Sequence, residues 1–593
     1  MYQNDYFVLK DSGTYANALE AFGLTAILSK IVGEKSIQIL DEGSYFRIHS
    51  RNVITEELVK STKYFQTMIY IKVKNDKPDS AVTVIDYDGE KGKRDNFNKF
   101  VQELKKQKPV NMNQQIENYQ PKPNPDYDIF SSIYQLKALE GYKKVILNLF
   151  DNRDSFAFLL KELLFLYSEP EDFLEQSNKR LKALKKHMEL DANIKVNSLQ
   201  LFNPHQGKGV NEPKSNRLKN ENLPSFWLRE WMKMIGCYKA MTIKAIKISD
   251  KSWDSKIYVL CPKNIDCNQL FTLNLSFKPK LRGLSAVKLD ISSLLQFCET
   301  FIKNIPEYKE RKNVFSKLIN PHHFINGFYT TYLKDLGQNK AVSNLSFLQL
   351  PTFIEIGSYN DGQAWIQIIK EHLTIINRLQ ETPKNPESGI ALEVMQQYRQ
   401  FITSSHLIMF LNCLATYGIY LMDKFSDYWA KRVKYKPTPF SSKFLEVLLM
   451  KISNKELLPI LQCEGFKNIA AAIRKSTISL QYTPKEQRQY EVKYGIAQDL
   501  KRKSAYKNEL IEYLAEFIAL YNVENARLKE QKGESFIPRS NVKQQDIEEF
   551  IKLIDEYGSN IVGRLLAAYG YAFDRKEKIQ ESNENILEEV ENV

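Results

Sequence analysis

Two kinds of sequence pattern meet at the segment Glu381-Thr382-Pro383-Lys384-Asn385-Pro386-Glu387-Ser388-Gly389. Its prolines and its terminal glycine interrupt both helical and strand periodicity. Strand patterns occur before it, whereas apolar residues from Ile390 to Phe573 follow helical spacing with short breaks at prolines. The pattern predicts an α+β N-terminal part over 1–380, a linker at 381–389 and an all-α helical bundle over 390–593.

The N-terminal part begins with the patterns of a helix and a hairpin. Residues 14–32 carry apolar side chains at helical spacing, and 36–48 hold two apolar runs around an Asp-Glu-Gly-Ser turn. β-branched and aromatic content predicts strands at 63–74, 81–87, 143–150, 241–248, 256–261 and 271–277. Helices are expected at 155–188, 285–302 and 363–379. Polar stretches at about 105–128 and 203–222 are predicted to be loops.

Composition favours an anionic partner. Lys and Arg total 84 against 71 Asp and Glu, a net charge of +13 over 593 residues; a lysine-rich surface without such a partner would give the same total. The six cysteines lack a paired spacing, as expected of reduced thiols in a cytoplasmic protein. The first residues do not have a signal-peptide pattern, and the most apolar run, 407–422, is short for a membrane span. We therefore expect a buried helix there and no membrane partner.

The motifs of catalysis and of cofactor binding are missing from the sequence. Residues 89–94 are the nearest text to a phosphate-binding loop, but the glycines are too close together and the hydroxyl is lacking. Asp86 and Asp88 could belong to a nuclease, but Lys91 would point away from Glu90 on a strand, so a solvated hairpin turn explains the group better. We expect no catalytic residue, no metal and no cofactor.

A basic segment at 203–219 is the strongest candidate for contact with DNA. Residues 203–251 hold ten Lys or Arg and four Asp or Glu, a local net charge of +6. Glycines beside a lysine let backbone amides approach an anion, while amide side chains can bind base edges. A solvated loop is the alternative. The candidates for base edges are Gln206, Asn211 and Asn216, and those for phosphates are Lys208, Lys214, Arg217 and Lys219.

Two further patterns follow. Trp227, Trp231 and Met234 recur at helical spacing and predict a core-facing helix that ends at Gly236.

In the C-terminal part, lysines and arginines interleaved with tyrosines suit a groove for single-stranded nucleic acid, and an exposed helix face is the alternative. The candidates for contacts with the strand backbone are Lys431, Arg432, Arg474, Lys475, Lys501, Arg502 and Lys503.

These pieces together resemble a known family. Residues 18–28 with the hairpin that follows, 203–211 with the helix that begins at 227–230, and 565–572 are similar to segments of the large subunit of type I CRISPR interference (Cascade) complexes, of subtype I-A/I-B character. The resemblance extends over nearly the whole chain through motifs that are individually weak. The helical part resembles the separate small subunit of these complexes, which in some relatives is made from an internal start; Met395 and Met450 could serve.

The resemblance implies a non-catalytic, DNA- and RNA-associated subunit of a prokaryotic ribonucleoprotein. Such a subunit contacts the protospacer-adjacent motif in target DNA and helps to open the R-loop, while CRISPR RNA held by companion subunits pairs with the target. Its partners would be the backbone and small subunits and a downstream helicase-nuclease or transposition adapter. Two other hypotheses remain: a stand-alone nucleic-acid enzyme, such as a divergent nuclease without a recognisable motif, and a helical scaffold that binds no nucleic acid.

Overall fold

The computed structural model describes residues 2–107, 109, 111–136, 139–170, 173–187, 201–206, 226–249, 252–283, 285–337, 340–382, 387–433, 436–453 and 455–573. The chain forms two compact units. The first comprises Met1–Leu289, Gln296–Asn304 and Asn320–Leu350, and the second comprises Asp290–Leu295, Ile305–Ile319 and Pro351–Val593. All strands of the described residues lie in the first unit, and the second is helical, which confirms the predicted fold class. The predicted linker at 381–389 lies within the second unit.

The elements follow one another in this order. The strands are β1 (Asp5–Leu9), β2 (Ile37–Asp41), β3 (Tyr45–Ser50), β4 (Tyr70–Lys72), β5 (Val84–Asp86), β6 (Met241–Lys247), β7 (Trp253–Pro262), β8 (Asn264–Asp266), β9 (Ile325–Asp335) and β10 (Lys340–Gln349). The helices up to residue 304 are α1 (Tyr15–Val32), α2 (Glu56–Ser61), α3 (Tyr87–Gln107), α4 (Met112–Asn118), α5 (Tyr127–Gln135), α6 (Leu139–Asp151), α7 (Phe156–Leu166), α8 (Phe173–His187), α9 (Trp227–Ala240), α10 (Cys267–Phe277) and α11 (Ala286–Asn304).

The later helices are α12 (Pro306–Lys309), α13 (Tyr359–Arg378), α14 (Gly389–Ser404), α15 (Leu407–Trp429), α16 (Ser442–Ile452), α17 (Leu458–Gln462), α18 (Glu464–Ser476), α19 (Ile478–Gln481), α20 (Ile496–Lys503), α21 (Lys507–Lys532), α22 (Gln544–Tyr557) and α23 (Ser559–Gly570). Of these, α15 is the buried helix expected at the most apolar run, and it packs on α14, α20 and α23. Within the described ranges, no helix has the length and apolar character that crossing a membrane requires.

Two antiparallel sheets organise the first unit. One has the strand order β1-β3-β2-β8, and the other has the order β10-β9-β7-β6. The predicted hairpin is β2–β3, which pairs Asp41 with Phe46 across its turn. On the inner face of the second sheet, Phe328 of β9 packs against Phe277 and Phe297, with ring centroids 5.4 and 5.5 Å away. This aromatic cluster buries one face of the sheet and leaves the opposite face for other contacts.

Helices α1 and α9 form the centre of the first unit. Every residue of α1 except Lys30 and Val32 is buried, so the helix is covered on all sides. A Cβ atom at Gly23 would lie 1.9 Å from the carbonyl oxygen of Met232, and one at Gly236 would lie 1.9 Å from that of Leu19. The prediction that Gly236 ends α9 is therefore wrong. Gly236 lies inside α9, and glycine is needed there because the backbones of α1 and α9 approach too closely for a side chain.

Several predicted elements differ from the observed ones. The strands expected at 143–150 and 271–277 are helices α6 and α10, because their buried residues recur at helical spacing. The helix expected over 155–188 is divided into α7 and α8, the stretch at 105–128 contains α4, and 63–74 and 81–87 each contribute three strand residues. Strands β6 and β7 and helices α1, α11 and α13 are confirmed.

Candidate nucleic-acid interface

The basic segment predicted to contact DNA, 203–219, is described only at its start, 203–206, and the next described element is α9. Gln206 closes a single turn of 3-10 helix, Pro204–Gln206, and α9 begins at Trp227. The remaining six candidates lie outside the described residues: Lys208, Asn211, Lys214, Asn216, Arg217 and Lys219. The structure defines the contacts of Asn203, where the segment begins, and of Arg229 in α9, which follows it.

A buried polar triad anchors the end that precedes the segment. The Asn203 amide nitrogen donates to Glu230 Oε2 at 2.8 Å, and Lys233 Nζ donates to Asn203 Oδ1 at 2.7 Å and to Glu230 Oε1 at 2.8 Å. All three side chains are buried. Because an incompletely paired charge is costly in the interior, the hydrogen bonds that Asn203 makes to both members of the Glu230–Lys233 pair stabilise that pair. The backbone at 203 is thereby fixed to α9.

A second network fixes the start of α9, which follows the segment in the chain. Arg229, two residues into α9, binds Glu20 through Nε at 2.7 Å and Nη2 at 2.9 Å, and binds Asp11 through Nη1 at 2.9 Å. Burial alone would raise the pKa of Asp11, but hydrogen bonds and attraction from Arg229 outweigh it and lower that pKa. Tyr167 also donates to Glu20 at 2.8 Å. The carboxylates thus neutralise Arg229, which serves as an anchor and is a poor candidate for a phosphate contact.

Four cations of the first unit converge in a group that the sequence does not reveal. Burial lowers the pKa of Lys244 on β6 to about 8; Asp128 acts on this lysine by attraction, and Arg94, Arg282 and Lys278 act on it by repulsion. Arg94 contacts Asp128 at 3.4 Å. Lys278 pairs with Asp126 at 3.1 Å, so two of the four cations have carboxylate partners. These residues are dispersed over nearly 190 positions, so only the fold brings them together.

In the second unit, two of the predicted basic groups meet at the short helix α19. Lys431 and Arg432 follow the end of α15, and Trp429 Nε1 donates to the carbonyl oxygen of Gln481 at the end of α19, at 3.0 Å. Lys475 lies in the last turn of α18, three residues before α19 begins. The side chain of Arg432 is 75% exposed and contacts Asp427 at 3.4 Å. These ends therefore present positive charge at both termini of α19.

The remaining predicted cations have internal partners or lie elsewhere. Arg474 donates to the carbonyl oxygen of Tyr569 at 2.7 Å, so a phosphate would compete with a contact that holds α18 to α23. Lys501 of α20 donates to Thr416 of α15 at 2.9 Å. Thr416 lies about 20 Å along the axis of α15 from that helix's C-terminal end, so Lys501 is distant from the group at α19. Arg502 pairs with Asp499 at 2.9 Å, and the ammonium of Lys503 lies 5.5 Å from the ring centroid of Tyr513.

A basic–aromatic cluster surrounds the end of α15 and consists of Trp429, Lys436, Gln481, Tyr482 and Arg488. The Lys436 ammonium lies 4.5 Å from the ring centroid of Tyr482 and 5.4 Å from that of Trp429. Arg488 lies 5.6 Å from the Trp429 ring and donates to the buried Gln481 at 3.0 Å. Cations beside aromatic faces are the combination that binds single strands. The interleaving at 428–436 is visible in the sequence, whereas its partners at 481–488 are not.

The carboxylates considered for a nuclease have local structural contacts. Asp86 Oδ1 accepts hydrogen bonds from the backbone N–H groups of Asp88 and Gly89, at 3.1 and 3.3 Å, in the first turn of α3. Within the part of the chain that the structure describes, no group of three or more His, Cys, Asp or Glu side chains is arranged to hold a metal ion. No protein-family model matches the chain, and no curated protein matches it at a significant level.

Proposed function

We propose that this chain is a non-catalytic nucleic-acid-binding subunit, the large subunit of an RNA-guided CRISPR surveillance complex. In this role it contacts the protospacer-adjacent motif, helps to unwind target DNA and recruits a downstream helicase-nuclease or transposition adapter. The observation that carries the proposal is that buried polar networks hold the chain on both sides of the predicted phosphate contacts: at Asn203, where the basic segment begins, and at Arg229 in α9, ten residues after Lys219. Four of the predicted phosphate contacts lie between these two residues in the sequence.

The anchoring supports DNA binding for a physical reason. Buried polar networks whose members are paired have one favourable arrangement, so the backbone is fixed at one point before and one point after the predicted phosphate contacts. Asn203 and Arg229 fix those points, and both contact α1 or α9 at the centre of the unit. Fixed ends reduce the conformational entropy that the segment loses on binding a duplex.

The charge distribution supports the second half of the proposal. The cations at both ends of α19 and the basic–aromatic cluster offer a helical surface with phosphate-binding groups. In the proposed complex this surface contacts a displaced single strand, while base pairing with CRISPR RNA on companion subunits determines the target sequence. The chain itself needs no catalytic group for this role.

The salt dependence of DNA binding tests the proposal. The slope of log K against log salt is negative, and each lost phosphate contact makes it shallower by about 0.9. Changing Lys208, Lys214, Arg217 and Lys219 to Gln together should therefore reduce the magnitude of this slope by about 3.6. Changing Gln206, Asn211 and Asn216 to Ala should alter the preferred motif instead. The matched control changes four lysines that pair with carboxylates on the surface, and it should keep the wild-type slope: Lys60, Lys312, Lys467 and Lys507 to Gln.

Two outcomes would contradict the proposal. A combined lysine–arginine variant that binds DNA with the wild-type affinity, slope and motif preference would remove the role of the segment. Magnesium-dependent DNA cleavage that disappears in Asp86→Asn or Asp88→Asn would favour the divergent nuclease. Sequencing of RNA that copurifies with the native complex separates the CRISPR role from general DNA binding, because guide RNAs share repeat-derived ends.

A further inference from the structure

A cleft of about 390 Å³ lies on the first unit, and neither the basic segment nor the proposed function accounts for it. Its walls come from the ends of β2, β7 and β10, from the start of β9 and from a 3-10 turn, Pro321–His323. Its volume is near the lower limit for small-ligand pockets, which suits one compact ring system. The chemistry of these walls identifies the kind of ligand.

The strand register explains why the cleft is open. In the second sheet Gln349 pairs with Gly327, which pairs in turn with Cys261. Gly327 has a φ of 155°, and a Cβ atom there would lie 2.0 Å from the carbonyl oxygen of Leu348, so only glycine fits. The row across three strands therefore has no side chain at its centre. Paired residues of an antiparallel sheet share a face, and the missing side chain leaves space between Gln349 and Cys261.

An exposed aromatic pair forms one wall. Phe347 and Tyr329 form the next paired row on the same face of the sheet, and their ring centroids are 5.1 Å apart in an edge-to-face arrangement. Phe347 is 42% exposed because it lies on the edge strand β10, where solvent can reach its ring. A large exposed aromatic side chain beside a cleft offers a stacking surface to a planar ligand.

Polar groups of both donor and acceptor type complete the cleft. Asn326 donates to Asp41 Oδ2 at 3.1 Å, which orients its amide, while the amide of Gln349 is exposed at the rim. His322 Nδ1 is shielded from solvent and has no hydrogen-bond partner among the residues that the structure describes. Burial, Lys263 and His323 lower the pKa of His322, so its neutral ring can donate or accept a hydrogen bond at pH 7.

The charges of the cleft favour a ligand with an attached phosphate and disfavour covalent chemistry. Asp41 is neutralised by an ion pair with Lys10, so the acidic group does not repel an anion. Lys263 is near enough to act on His322 electrostatically and adds a positive charge. Burial raises the pKa of Cys261 to about 12, which keeps its thiol protonated and unreactive. The cleft is therefore equipped for binding.

We infer that this cleft binds a single unstacked nucleobase, with the base against Phe347 and its edge hydrogen-bonded to Gln349, Asn326 and His322. Amide side chains match the donor and acceptor pattern of base edges, and every base has a face that can stack on an aromatic ring. The base can belong to a free nucleotide or to a nucleic-acid strand, since the cleft is open to solvent and both carry the same ring. The inference does not depend on the CRISPR role.

Fluorescence of 2-aminopurine tests the inference, because this purine analogue changes its emission when it stacks on an aromatic ring. The probes are 2-aminopurine ribonucleoside monophosphate and a single-stranded oligonucleotide that carries one 2-aminopurine. Phe347→Ala should weaken binding about tenfold, and Gln349→Ala should weaken it severalfold. Leu345→Ala is the matched control: it lies two residues away on the same face of β10, is 37% exposed and does not line the cleft. Thermal melting verifies that each variant is folded.

The outcomes separate the sources of the base and the two proposals. If the free nucleotide binds and responds to Phe347→Ala, the cleft is a nucleotide site; if only the oligonucleotide does so, it holds a base of a strand. Wild-type binding by Phe347→Ala with both probes, or an equal loss in Leu345→Ala, would overturn the inference. Phosphate contacts of the basic segment appear in the salt slope of the oligonucleotide titration. If the combined lysine–arginine variant of the segment keeps the wild-type slope while the Phe347-dependent signal is intact, the result would contradict the proposed function alone.

Discussion

His372 shows how one residue can give the helical unit a dependence on pH. The ring lies in α13 among Tyr398, Phe410 and Phe440, at centroid distances of 5.6, 6.2 and 5.0 Å. Its Nδ1 is 2.6 Å from the hydroxyl of Tyr398, and burial lowers its pKa to about 3. The histidine is therefore neutral in the folded unit at pH values where an unfolded histidine would already be protonated.

Acid should therefore destabilise the second unit through this residue. Between pH 6.5 and pH 3 the unfolded chain binds a proton at His372 that the folded unit does not, so the free energy of unfolding falls as pH falls. The contribution is at most about 1.4 kcal/mol per pH unit in that window. In His372→Gln, whose amide stays neutral, this part of the slope should disappear. Denaturant unfolding at pH 7.5, 5 and 4 measures it, and an unchanged slope would contradict the assignment.

Residue roles were predictable from the sequence where the pattern is local. The burial of Trp227, Trp231 and Met234 follows from helical spacing alone, and the structure confirms it. The role of Arg229 could not be predicted, because its partners Asp11 and Glu20 lie more than 200 residues earlier in the chain. Long-range ion pairs leave no periodic trace in a sequence, so sites that depend on them become visible only in the fold.

The contact between α1 and α9 gives a prediction at the scale of elements. Gly23→Ala or Gly236→Ala should lower the free energy of unfolding by about 3 kcal/mol, because the added methyl group forces two helix backbones apart. Gly92→Ala is the control: this exposed glycine of α3 has open space within 4 Å of where the methyl group would lie, and the change should stabilise by about 0.5–1 kcal/mol. Denaturant unfolding of the three variants measures the differences. Equal stabilities would mean that the close approach is not required.

Elements were mispredicted where two periodicities fit one run. Phe271, Leu273 and Phe277 alternate as in a strand, but Leu275 is 68% exposed, and Cys267, Phe271 and Asn274 recur on the buried face of α10. The amphipathic α13 was predictable because twenty residues repeat one pattern, whereas an eleven-residue run satisfies both. The cleft that binds a base in our inference was not predictable, because it depends on the register of β10, β9 and β7.

At the scale of the whole molecule, the division into units determines which fragment can fold alone. The longest segment of the second unit begins at Pro351, so α13 belongs to it. Phe353 stacks on Phe401 at 5.2 Å, and His372 contacts Tyr398, so α14 packs on residues that precede the proline-rich segment at 381–389. Met395, a candidate internal start, is itself buried inside α14. A chain that begins there loses part of α14 and all of α13.

We therefore expect the fragment 351–593 to fold as a helical unit and 395–593 to be less stable. The shorter fragment exposes the apolar faces of Tyr398, Phe401 and Phe410 and lacks the buried Trp365 of α13, a loss of several core side chains worth about 2–3 kcal/mol each. The fragment 351–593 lacks Asp290, which pairs with Arg399 at 2.7 Å in the whole chain. Arg399→Gln in this fragment is the control for the missing partner, and it should change the fragment's stability little because the ion pair is already absent. Circular dichroism and cooperative melting compare the two fragments, and single-strand binding against salt tests the surface at α19. Equal melting of both fragments would show that α13 is dispensable, whereas a folded 351–593 without salt-dependent binding would keep the unit and remove its proposed contact with a strand.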